Sequence, residues 1–164
     1  MSEHTFNVLF LCSANSARSI MAEACLNQMG GSRFKAYSAG SLPAGQVHPQ
    51  ALALLQRHGY AIEGLCSKSW DTFAEPGAPV MDFVFTVCDR AAAEVCPSWP
   101  GQPLSAHWGV ADPVQVQGDE SQMNKAFADA FIKLQRRIGM FAALPLDKLD
   151  RLSLQREVQR IGVA

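Results

Sequence analysis

Residues 8–24 read VLFLCSANSARSIMAEA: four apolar residues, a cysteine, a loop of small and polar residues, Arg18, then an amphipathic pattern. The run from Asn7 to Leu11 is nearly continuous in apolar character, the mark of a strand buried on both faces within a parallel sheet. From Ser19 onward, Met21, Ala24, Cys25, Gln28 and Met29 recur at helical spacing until Gly30 and Gly31 stop them. In an open α/β sheet ligands bind beyond the carboxyl ends of the strands, and Cys12 stands at such an end.

The rest of the chain repeats the alternation. Phe34 to Ala39 reads as a second strand; His48-Pro49 opens a helix that runs through Leu55 and ends at Gly59, with proline in its favoured first turn. SKSWDTF (67–73) is a short helix or loop and EPGAP (75–79) a linker; Met81 to Val87 and Pro103 to Trp108 are the third and fourth strands. Glu120 to Leu144 is a long amphipathic helix with Met123, Phe127, Ala130, Phe131, Leu134 and Ile138 on one face, and a last helix follows Pro145. The expected fold is an α/β three-layer sandwich, a four-stranded parallel sheet flanked by helices. One domain is expected over residues 1–164, with 145–164 a C-terminal helical extension. In that extension Leu149, Leu152, Val158 and Ile161 lie near one face and are expected to pack on the chain's own core.

Composition narrows the function classes. With 14 basic and 15 acidic residues interspersed, there is no charged footprint for nucleic acid or a membrane surface. No targeting segment or membrane span is visible, so a cytoplasmic protein is expected. The 5 cysteines, an odd number in a chain of 164 residues, read as thiols in a reducing compartment rather than a disulfide framework.

The loop after the first strand explains the first of those thiols. Ser13, Ala14, Asn15, Ser16 and Ala17 must curl into a helix start, which turns several backbone N–H groups into one concavity suited to a tetrahedral oxyanion. Arg18 adds a guanidinium that can grip two oxygens of the anion, and Ser19 closes the cradle. The same donors favour the thiolate of Cys12, so the loop both holds an anion and arms a nucleophile against it. Cys25 and Cys66 read instead as small buried core residues.

C-x5-R-S after an apolar strand resembles the anion loop of low-molecular-weight protein tyrosine phosphatases and of the arsenate reductases that share their fold. The likeness continues through AYSAG (36–40), VHPQAL (47–52), FTVCD (85–89), EVCPSWPG (94–101) and AHWGVADP (106–113), in the order found in such reductases. It implies Cys12 as nucleophile, Ser13 to Ser19 as oxyanion cradle, Arg18 as clamp and Asp112 as general acid. Two positions depart from the pattern. Ala14 replaces a common glycine, and Ala17 stands where many relatives carry a second loop cysteine.

Phosphatase and reductase begin alike and differ in what attacks next: water in the first, a second thiol in the second. Cys88, at the end of the third strand, shares the sheet edge with Cys12 and is the candidate second nucleophile. Cys96 follows beyond DRAAAEV, a segment of strong helical propensity that separates the two by about 12 Å if helical. A disulfide needs α-carbons within about 7 Å, so a Cys88–Cys96 bond requires that segment to unwind or bend. Two unreactive core thiols are the alternative reading, and a zinc site lacks the second close-spaced ligand pair. Val114 and Gln115 after Asp112-Pro113 leave out the aromatic wall that phosphotyrosine-directed relatives tend to carry.

The expected function is therefore arsenate reduction to arsenite, a detoxification chemistry, through an intramolecular cascade over Cys12, Cys88 and Cys96. No cofactor or metal is expected. Arsenate is the substrate, phosphate or sulfate would compete for the loop, and thioredoxin or glutathione with glutaredoxin would supply electrons. A phosphatase of the same fold is the alternative, and an oxyanion-binding module a third reading. Some related reductases hold potassium beside the loop at positions resembling Asn15, Glu23 and Ser38; here Lys68 stands near the remaining acidic position, and its ammonium can replace the ion. His107 and Trp108 read as packing residues, as do Trp70 and Trp99.

Overall fold

A computed structural model describes residues 4–89, 91 and 99–163; Cys96 and most of the segment leading to it lie outside the described residues. Strands β1 (Phe6–Leu11), β2 (Phe34–Ala39), β3 (Phe83–Thr86) and β4 (Leu104–His107) form one parallel sheet in the order β2-β1-β3-β4. Helices α1 (Arg18–Met29), α2 (Pro49–Arg57), α3 (Glu120–Ala142) and α4 (Arg151–Gly162) accompany it.

Strand alternation divides the core. Val8, Phe10 and Phe85 point to one face, where they meet Met21, Leu54, Phe127, Phe131, Leu134, Ile138 and Phe141 from the helices. Trp108 stacks on Phe85 there, with ring centroids 3.9 Å apart and planes 12° from parallel. Leu9, Leu11 and Val84 point the other way, onto Trp70 and Phe73 of a 3-10 turn. Both faces of the two central strands, β1 and β3, are thus covered, which is why these read as nearly unbroken apolar runs.

Sequence-local chemistry sets the helix ends. The His48 ring nitrogen Nδ1 accepts from the Gln50 backbone and Pro49 opens α2. Asp119 and Gln122 form a reciprocal capping box on α3. The last helix differs from the expected one: Leu146–Lys148 form a 3-10 turn and α4 starts only after Asp150, whose carboxylate accepts from Ser153 N. Asp150 caps a new helix there rather than sitting inside an old one. In α4, Val158 and Ile161 are buried, whereas Leu152 is 63% exposed and does not join the core. The helix docks on β4 through the Trp108 Nε1 hydrogen bond to Val158 O at 2.9 Å.

The register aligns Leu11 with Ala39 and Thr86, and Thr86 with His107, so all four strands end on one edge. After β1 the chain adds β2 on one side and then β3 on the other. The crevice between the ends of β1 and β3 is the topological switch point where such sheets bind ligands.

Candidate active site

The loop leaving β1 places Cys12 and Ser13 at that crevice, and its carbonyls report its shape. Ser13 O accepts from Leu42 N, Ala14 O from Ala44 N, and Ser16 O from His48 N, each at 2.8–2.9 Å. A trans peptide sets its N–H opposite its C=O, so outward carbonyls aim the N–H groups of Ala14, Asn15 and Ala17 inward. The concavity expected from the sequence thus follows from where the carbonyls are satisfied. Asn15 makes the turn at φ +48°, a left-handed conformation that asparagine tolerates better than most residues. Ala14 has no positive φ, so the side chain at that position costs no backbone strain.

A buried relay leads to Cys12. Lys68 N donates to Asn15 Oδ1 at 2.8 Å, Asn15 Nδ2 donates to Ser19 Oγ at 2.8 Å, and Ser19 Oγ lies 3.0 Å from Cys12 Sγ. An amide NH2 can only donate, so Ser19 Oγ accepts from Asn15 and keeps its own hydrogen available to an attacking sulfur anion. Cys12, Asn15 and Ser19 are all buried at the amino end of α1. The Ser19 hydroxyl and the amino end of α1 both face the sulfur. Gly40 backs the loop: a β-carbon there would stand 2.4 Å from Ser13 O and 2.6 Å from Cys12 O.

Arg18 and Asp112 meet across the crevice. Arg18 Nη2 lies 3.4 Å from Asp112 Oδ2, and Nη1 donates to Val110 O at 2.9 Å. Asp112 Oδ1 accepts from Val114 N, which fixes the carboxylate at the start of a 3-10 turn, Pro113–Gln115. A second guanidinium that sequence reading missed holds the same loop. Arg137, buried in α3, donates from Nη1 to Gly109 O at 2.9 Å, and burial lowers its pKa from the ordinary arginine value. Its position three residues after Leu134 and four before Phe141 was the signal that it falls on the buried stripe.

Cys88 is brought to the loop. Its Sγ accepts from Ser13 N at 3.3 Å and from Ala91 N at 3.3 Å, and the side chain is buried. The second thiol therefore sits on the first N–H after the first one. Ser13, Ala14, Arg18, Cys88, Asp112 and Gln115 line one cleft of about 740 Å³, together with Asp89, His107 and Gly162. His107 departs from the packing role read in the sequence: it is half-exposed in this cleft, with Nε2 2.7 Å from Asp89 Oδ1 and Nδ1 2.8 Å from Thr86 Oγ1. Only Trp108, its neighbour on the opposite face of the chain, is a core residue.

The other thiols separate. Cys25 is buried, and desolvation pushes its pKa up to about 12 against a weaker pull from Tyr60. Cys66 is exposed, contrary to the core position expected for it, because it lies in the loop after Gly64 rather than on a helix or strand. Beside the loop, Lys68 Nζ lies 3.7 Å from Glu23 Oε1 and donates to Cys66 O at 2.8 Å, while Ser38 Oγ donates to the same Glu23 oxygen at 2.5 Å. Burial raises the Glu23 carboxyl above its ordinary value, against the opposing pull of Ser38 and Lys68. The ammonium thus occupies the neighbourhood of Asn15, Glu23 and Ser38. No helix among the described residues is long and apolar enough to cross a membrane.

Residues 7–159 match the family model described as low molecular weight phosphotyrosine protein phosphatase. An arsenate reductase of Halalkalibacterium halodurans is 33% identical over 135 residues, 82% of this chain and 94% of that protein. Among solved structures, the arsenate reductase from Archaeoglobus fulgidus gives a TM-score of 0.61 at 30% identity, covering 80% of this chain and 98% of that one. A thioredoxin-dependent arsenate reductase from Corynebacterium glutamicum gives 0.56 at 26% identity over 85% of this chain; this chain spans 64% of that protein.

Proposed function

The chain belongs to the low molecular weight phosphotyrosine protein phosphatase family, and we propose that it reduces arsenate to arsenite through its own thiols. Arsenate binds in the loop from Ser13 to Ser19 with Arg18 beside it, and the Cys12 thiolate attacks arsenic. Asp112, 3.4 Å from Arg18, gives its proton to the departing oxygen, which leaves as water. Cys88 then attacks Cys12 Sγ: a sulfur–sulfur bond forms, the sulfur–arsenic bond breaks, and its electron pair stays on arsenic, which departs as arsenite. Cys96 attacks Cys88 Sγ in turn, frees the Cys12 thiolate and leaves a Cys88–Cys96 disulfide. An external dithiol restores both thiols.

Thioredoxin suits an intramolecular disulfide, and the Corynebacterium relative is thioredoxin-dependent; glutathione with glutaredoxin is the competing donor. Phosphate and sulfate, tetrahedral like arsenate, compete for the same N–H groups.

The observation that carries this reading is the seat of Cys88 on Ser13 N, one residue from the first nucleophile. The test is Cys88→Ser. The variant is expected to keep arsenate binding, read as protection of Cys12 from iodoacetamide, and to release no arsenite where the parent protein does. Arsenite release by Cys88→Ser at the parent rate would overturn the reading. Steady turnover of an aryl phosphate by the parent, with all thiols retained and no arsenite from arsenate, would establish the phosphatase instead.

A further inference from the structure

We propose that His107 is a positioning residue for the second nucleophile: bridging Thr86 to Asp89, it pins the residue after Cys88 to the sheet and so holds Cys88 against the loop. The inference rests on the reading of Cys88 as the attacking thiol.

The geometry is a two-ended clamp. A carboxylate oxygen only accepts, so the 2.7 Å contact to Asp89 Oδ1 puts a hydrogen on His107 Nε2, while Nδ1 engages Thr86 Oγ1 at 2.8 Å. With both ring nitrogens bound, the imidazole cannot turn. Thr86 and His107 are aligned partners at the ends of β3 and β4, a rigid base. Asp89 is different: its side chain is 94% exposed, so no packing holds it and the hydrogen bond is what fixes its place. The loop that carries Asp112 crosses directly above. A β-carbon on Gly109 would come within 2.7 Å of His107 Nε2 and 3.0 Å of Asp89 Oδ1, and Arg137 fixes that stretch of backbone through Gly109 O.

The consequence falls on one chemical step. Up to Val87 the chain is tied by Val87 N to Leu11 O and by Val110 N to Val87 O. Beyond it, among the described residues, the Cys88 sulfur rests on Ser13 N and Ala91 N, and Asp89 on His107. Attack at sulfur needs the reacting atoms brought to about 3–3.5 Å and in line, and loosening Asp89 widens the range of positions Cys88 must search to reach that geometry. The Cys12 step does not use the contact between His107 and Asp89.

The test compares Asp89→Ala, His107→Ala, the double variant and His107→Gln, whose amide can still donate to Asp89. Two quantities are read on fully reduced protein without external reductant: the single-turnover rate of arsenite release, and the arsenate concentration that half-protects Cys12 from iodoacetamide. Each alanine variant is expected to slow arsenite release about fivefold, the worth of one solvent-accessible charge-assisted hydrogen bond. The double variant should be no slower than either single one, His107→Gln should recover most of the rate, and half-protection should stay within twofold throughout. Arsenite release unchanged in Asp89→Ala, slowing that adds in the double variant, or a matching loss of arsenate protection would each overturn the clamp. A parent protein that binds arsenate but releases no arsenite would remove the Cys88 reading itself, and the clamp with it.

Discussion

Ser19→Ala tests the relay that arms Cys12. The substitution removes the one hydroxyl 3.0 Å from the sulfur, in a buried site, and leaves Asn15 Nδ2 without its acceptor. A hydrogen bond to a charged group contributes about 1.5–3 kcal/mol. Taken as lost stabilisation of the attacking sulfur, that range corresponds to roughly a 10- to 100-fold drop in its rate of attack, since 1.4 kcal/mol is a factor of ten. The helix dipole and the backbone N–H groups are untouched, so the loss is partial. The assay is the initial rate of Cys12 alkylation by iodoacetamide at pH 7, followed by peptide mapping, with the single-turnover arsenite rate beside it. Both rates should fall. An unchanged alkylation rate at pH 7 would refute the reasoning, because the Ser19 hydrogen would then not be serving the sulfur.

Four further predictions concern the loop's surroundings and the remaining thiols. Gly40→Ala drives a β-carbon into the carbonyl oxygens of Ser13 and Cys12, which are backbone and cannot swing away; it should cost about 2 kcal/mol or more and lower Tm by about 5 °C or more in a thermal melt. Lys68 Nζ near Glu23 makes turnover indifferent to exchanging potassium for sodium at constant ionic strength, and a strong potassium requirement in steady-state assays would refute its role. At pH 8 an alkylating reagent should label exposed Cys66 before buried Cys25, by mass spectrometry. The linkage sign for Cys25 is that burial raises the folded value to about 12 from an ordinary 9.0, so stability is retained below pH 9 and lost as pH rises toward 12, a loss that Cys25→Ala should not show in denaturant melts.

The parts of the fold that a single periodicity encodes were legible. Phe34 to Ala39 is the second strand to the residue, and Pro49 opens α2 because proline suits a first turn. The anion loop was legible because one stretch holds a strand end, five small or polar residues and Arg18. What escaped was set by tertiary contact. Asp150 ends one element and caps another, which no apolar spacing announces. His107 alternates with Trp108 along β4, and nothing local says that one side chain goes to the core and the other to Asp89. The relay from Lys68 N through Asn15 and Ser19 links residues 53 positions apart and depends on a loop arriving from beyond α2. Arg137 was readable in part: helical spacing puts it on the apolar stripe, but its partner, the carbonyl of Gly109, belongs to another layer of the molecule.

The central claim is that oxidation passes from Cys12 to Cys88 and on to Cys96, and thiol counting tests it most directly. Fully reduced protein is mixed with arsenate in the absence of any external reductant, then arsenite and remaining free thiols are measured and the disulfide mapped. The account predicts about one arsenite for every two thiols lost, by two-electron stoichiometry, with Cys88 joined to Cys96. Arsenate consumed with all 5 thiols still free, or a disulfide that leaves out Cys88, would contradict it.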